Sequence, residues 1–114
     1  MFNGLLNKGK DLALSMAIKK VVNMKIEKFG EVSKLEFNTD AKTIDIEVEL
    51  KGETETLKVF VDKYNIREED SRHYLVVNHI KSSKEWLTSV LEEYVNNEKF
   101  EVPSEYVKIL KAVI

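Results

Sequence analysis

The sequence predicts an α+β domain: a long N-terminal helix packed on a four-stranded antiparallel meander, followed by two shorter C-terminal helices. Three observations predict it. Residues 4–29 lack proline and are rich in helix formers. Residues 43–64 alternate apolar and polar side chains around a glycine turn. Ser82-Ser83-Lys84-Glu85 has capping-box spacing. The chain has 114 residues, is 43% hydrophobic and 33% charged, and suits one folded domain spanning 1–114.

Asn3 is placed to cap the first helix, and Gly30 to end it as a left-handed C-terminal glycine. Its apolar residues form no single stripe. Leu5, Leu12 and Met16 share one side, Leu6, Ala13, Ala17, Val21 and Met24 another, and Ile18, Val22 and Phe29 a third. A helix apolar on several sides is usually covered on several sides, by a curved sheet, a ligand or a second chain.

The strands are expected at 32–38, 43–51, 54–64 and 72–80. Ile44, Ile46 and Val48 alternate with Asp45, Glu47 and Glu49, and Leu57, Val59 and Val61 alternate with Lys58, Phe60 and Asp62. With Gly52 as first central residue of a two-residue turn, Val48 faces Leu57, Ile46 faces Val59 and Ile44 faces Val61. Glu47 then faces Lys58. A four-residue loop, 39–42, sets Leu35 against Ile46, Phe37 against Ile44, and Lys34 beside Glu47. The same register sets Glu36 opposite Asp45, a mild like-charge penalty. The fourth strand follows a polar loop at 67–71 and is apolar on both faces. Helices are expected at 83–96 and 104–112, with an extended stretch through Phe100 and Val102 between them. The C-terminal helices are expected to cover the second sheet face, with Trp86 and Tyr94 on Phe60.

Net charge is −2, but its distribution is uneven. Residues 1–30 hold six lysines against Asp11 and Glu27, whereas residues 31–114 hold 12 basic and 18 acidic side chains. The basic part can dock on the acidic remainder or meet an anionic surface. There is no cysteine, which excludes disulfides and thiolate chemistry. No run is long enough for a transmembrane helix, and Leu12 to Ile18 is too short and too closely followed by Lys19 and Lys20 for a signal-peptide core. The expected location is cytoplasmic, with peripheral membrane association an open option.

Catalytic patterns are missing. His73 and His79 stand six residues apart on one expected strand, about 20 Å, too far to share a metal or act as a pair. Asp45, Glu47 and Glu49 form a row with carboxylate-pair spacing, yet it alternates with a core face and has lysine neighbours, as a solvated strand face does. No G-x-S-x-G or phosphate-binding glycine loop occurs. Lysines scatter around the first helix and the sheet lacks clustered surface aromatics, so no nucleic acid is expected as a partner. No catalytic, cofactor-binding or metal-binding residue is assigned.

Apolar surface is the remaining signal. Leu5, Leu12, Met16, Ile18, Val22, Phe60 and Tyr64 are the candidate binding surface, with Phe60 and Tyr64 directed away from the Val59 and Val61 face. The order of one long helix and a curved antiparallel sheet resembles tubular lipid-binding modules at the level of fold, which implies a lipid or apolar ligand. The expected function is a non-enzymatic module that binds a lipid-like or other apolar ligand or a membrane surface. The alternatives are a protein-interaction domain that self-associates into a homo-oligomer, and a small enzyme without a recognisable motif.

Overall fold

In the central hairpin, the strands β2 (Thr43–Leu50) and β3 (Leu57–Glu69) pair in the register that the alternation predicts: Val48 with Leu57, Ile46 with Val59, Ile44 with Val61 and Glu47 with Lys58. The computed structural model describes residues 2–108, with side chains described for 9 and 11–108. The turn itself differs from the expected one. Glu53 N donates to Leu50 O at 3.1 Å, and Gly52 takes φ +92° at the third position of that turn. A glycine suits the positive φ there. The β2–β3 ladder therefore closes with Val48 opposite Leu57, short of the turn, with the register unchanged.

β1 (Gly30–Asn38) joins β2 as expected, with Leu35 against Ile46, Phe37 against Ile44 and Lys34 against Glu47. A bulge at Ser33 inserts one residue between Val32 and Lys34. The extra residue changes the parity, so Val32 shares the buried face with Leu35 and Phe37. Lys34 Nζ lies 3.6 Å from Glu47 and 3.7 Å from Glu36.

Among the described residues the sheet has five strands, all antiparallel, in the order β1-β2-β3-β4-β5. β4 is Arg72–Ser82, and β5 is Lys99–Val102, the extended stretch after the second helix. The expected loop at 67–71 is instead strand up to Glu69 and a two-residue turn. Asp70 and Ser71 both hold positive φ, 51° and 68°, as a type I′ hairpin requires. Its Asp-Ser sequence lacks the glycine that usually announces this turn.

β3 and β4 change faces in mid-strand. Val61 pairs with Ile80 and Tyr64 with Val77, and all four are buried, although they stand three positions apart on each strand, an odd step that would reverse the face of a regular strand. Asp62 and His79 between them are exposed, and His79 holds φ 52°. Both strands slip together, so the register survives while the face switches.

Two α-helices occur among the described residues. α1 (Phe2–Ile26) packs on β1, and α2 (Glu85–Tyr94) packs on β4. α1 ends before Gly30, which is not a helix cap. A Cβ on Gly30 would sit 2.2 Å from Glu49 O, so close strand approach, beside Leu50, is what requires the glycine. Ser82 and Ser83 form no capping box either. The N-cap is Lys84, without a side-chain cap bond, and Ser82 Oγ donates to Lys84 O at 2.7 Å. Ser83 Oγ accepts from Lys58 N at 3.0 Å. The serines thus lock the strand-to-helix joint. Of the last expected helix, residues 104–106 form a single 3-10 turn, while 109–112 and the asparagine at position 3 lie outside the described residues or side chains.

The core is one cluster between the helices and one sheet face. It contains Leu14 and Ile18 of α1, Phe37 and Tyr64 of the sheet, Leu87 of α2 and Val102 of β5.

Candidate docking surface on the first helix

α1 is oriented by its short polar side chains. Asp11 Oδ1 accepts from Thr39 Oγ1 at 2.5 Å, and its carboxylate also lies 3.3 Å from Thr39 N. Ser15 Oγ accepts from Phe37 N at 2.8 Å and donates to Asp11 O. Asn23 holds Val32 twice: its Oδ1 accepts from Val32 N at 2.6 Å and its Nδ2 donates to Val32 O at 3.2 Å. Asp11 and Ser15, four residues apart, share a helix side, whereas Asn23, seven residues after Met16, holds β1 from the flank of the open face. Ser15 and Asn23 satisfy backbone groups of β1, the sheet's first edge strand, and so close an edge that would otherwise be free to pair with another chain, while Asp11 holds Thr39 just past its end.

With that side fixed, the burial of the others follows. Leu14, Ala17 and Ile18 are buried, and Val22 and Ile26 pack against the core. The far side carries Leu12 (63% exposed), Met16 (65%) and Met24 (71%), along with Ala13, Lys20 and Glu27. Their spacing of three and four residues makes one continuous helical face. Phe29, in the turn beyond the helix end, is 66% exposed.

The expected surface residues therefore separate. Leu12 and Met16 are exposed together. Ile18 is buried and Val22 half-buried in the core. Phe60 is half-buried, paired with Asp45 and Lys81. Tyr64 is only 2% exposed, because the slip at Asp62 turns it inward against the edge of Phe37, with ring centroids 5.0 Å apart. Burial and the nearby Asp11 carboxylate push the Tyr64 phenol up to about 12. The side chain of Leu5 lies outside those described. Met24 joins the exposed face although the helical period sets it on a different side from Met16.

α2 exposes a second stripe, Trp86, Val90 and Tyr94, at four-residue spacing, while Leu87 of the same helix enters the core. Trp86 and Tyr94 are thus not enclosed. The charges around the stripe are acidic: Glu85, Glu92 and Glu93 are exposed. Lys84, at the start of α2, is engaged with Glu55 at 2.6 Å, a pair that lowers the glutamate's pKa and raises the lysine's.

The remaining polar groups do not converge on a reaction centre. The face switch buries His73, with Nε2 3.7 Å from Glu68, and leaves His79 exposed. Among the described residues, no three His, Asp or Glu side chains are grouped to hold a metal ion. A wide-open concavity is lined by Asn23, Glu27, Gly30, Glu31, Glu49 and Lys51. It is open to solvent, unlike the pockets that enclose lipid-like ligands. No described helix is long and apolar enough to cross a membrane. Comparison with protein-family models, curated proteins and solved structures found no match to this chain.

Proposed function

We propose that this protein is a non-enzymatic module that docks on a lipid surface through the exposed face of α1. The observation that carries the reading is the pairing of two faces on one helix. One side buries Leu14, Ala17 and Ile18 and is tied to the sheet by Asp11 and Ser15, and the opposite side presents Leu12, Met16 and Met24 to solvent. A rigidly held helix with an open apolar face suits a flat apolar surface. The openness of the concavity favours such a surface over an enclosed ligand.

Two substitutions one residue apart test the reading. Met16 is exposed and Ala17 is buried. Met16→Asp is expected to keep the melting temperature within a few degrees while abolishing vesicle cosedimentation. Ala17→Asp is expected to unfold the chain, because it buries an unpaired charge. Undiminished vesicle binding by folded Met16→Asp would refute the assignment.

A further inference from the structure

We infer that the surface recognised by α1 is an anionic bilayer, with Lys20 reaching the headgroups from the middle of the apolar face. The inference rests on the docking reading above and adds the charge of the partner. Lys20 is exposed and lies between Met16 and Met24 on the same helix face. Among the described residues, Lys19, Lys20, Lys25 and Lys28 take part in no ion pair.

A dry occupant would strip water from the Lys20 ammonium without supplying a partner. A bilayer does not impose that penalty. The apolar stem of lysine lies along the acyl boundary while its ammonium rises to the headgroup layer. The same difficulty disfavours a second copy seated on this face. An α1–α1 contact would bring two Lys20 side chains into one apolar interface, where only Glu27 of the exposed face carries the opposite charge.

Local charge favours an anionic partner. Residues 1–30 contain six lysines and two acidic residues, and one of those, Asp11, is already occupied by Thr39. The stripe on α2 offers the contrast: Glu85, Glu92 and Glu93 surround Trp86, Val90 and Tyr94, so an anionic surface repels it. One apolar helix face is therefore suited to anionic lipid and the other is not.

The test is cosedimentation of the full chain with vesicles of phosphatidylcholine alone, and with vesicles containing about one-third phosphatidylserine, as salt is raised from about 0.05 to 0.5 M. Light scattering of the lipid-free protein is measured in parallel. The expected result is at least about ten-fold tighter binding to the phosphatidylserine vesicles, lost at high salt. Lys20→Gln is expected to weaken that binding about five-fold without changing the melting temperature. Equal, salt-insensitive binding to both vesicles that still depends on Met16 would overturn the anionic partner and leave apolar docking standing. Failure to bind either vesicle would overturn both readings, and a Met16-dependent dimer in that case would assign the face to a second copy.

Discussion

The two sides of the sheet keep their chains in place by different means. At the β1 side, a helix closes the edge with side-chain hydrogen bonds: Asn23 takes both backbone groups of Val32, and Ser15 takes Phe37 N. At the β4 side, the chain continues as its own fifth strand, and β3 and β4 reverse faces together at Asp62 and His79. The first arrangement depends on a few groups with fixed partners. The second spreads the strain along a ladder that keeps its register. Local substitutions should therefore be felt more at the β1 side.

The largest expected effect is at the start of β1. Gly30→Ala forces a Cβ to within 2.2 Å of Glu49 O, a backbone atom that cannot rotate away. A loss of about 3–5 kcal/mol by denaturant unfolding is expected. A loss below about 1 kcal/mol would show that the strands separate there easily. Next, Asn23→Ala leaves both backbone groups of buried Val32 without their side-chain partner. It should cost about 2–3 kcal/mol and speed amide exchange in β1 before β4. Uniform exchange in the two strands would contradict the proposed asymmetry.

Tyr64 probes the contact between the two sides, since it comes from β3 and packs on Phe37 of β1. Its phenol is raised to about 12 in the fold, so the folded state holds the proton more tightly than the unfolded chain. That contribution is intact below about pH 10 and falls as pH rises through about 12, a loss of about 2 kcal/mol. Tyr64→Phe should remove this part of the alkaline loss, as urea unfolding at pH 9 and 12 would show. An identical pH slope in the variant would contradict the burial of an un-ionised phenol. The smallest effect is expected at the face switch. His79 holds φ 52° on an exposed residue. His79→Gly should change stability by less than about 0.5 kcal/mol, whereas β-branched His79→Val should cost about 1–2 kcal/mol. Equal losses in thermal melts would mean that the side chain, rather than the backbone, sustains the switch.

Much of the sheet was legible in the sequence, and for a local reason. Period-two alternation from Leu35 to Val61 and the Lys34–Glu47 pairing fix a register without reference to the rest of the molecule. The alternation misled at Tyr64, because a slip in both strands leaves no mark in either one alone. β5 was visible only as an extended stretch, since four residues through Phe100 carry too short a pattern to identify a strand. The candidate site was legible in part. The helical period sets Leu12 and Met16 together and apart from Ile18 and Val22, but it does not tell which side stays open when every side is apolar. The useful signal was polar: Asp11 and Ser15 mark the side that meets the sheet.

By itself, then, the sequence determined a long apolar helix, the register of the first three strands and an uneven distribution of lysine. Tertiary structure alone decided which side of that helix stays open. The reason is that helix formation and strand alternation are short-range preferences satisfied within a few residues. The rotation of α1 about its own axis is set by hydrogen bonds from residues 11, 15 and 23 to backbone groups that lie 9 to 28 residues further along the chain.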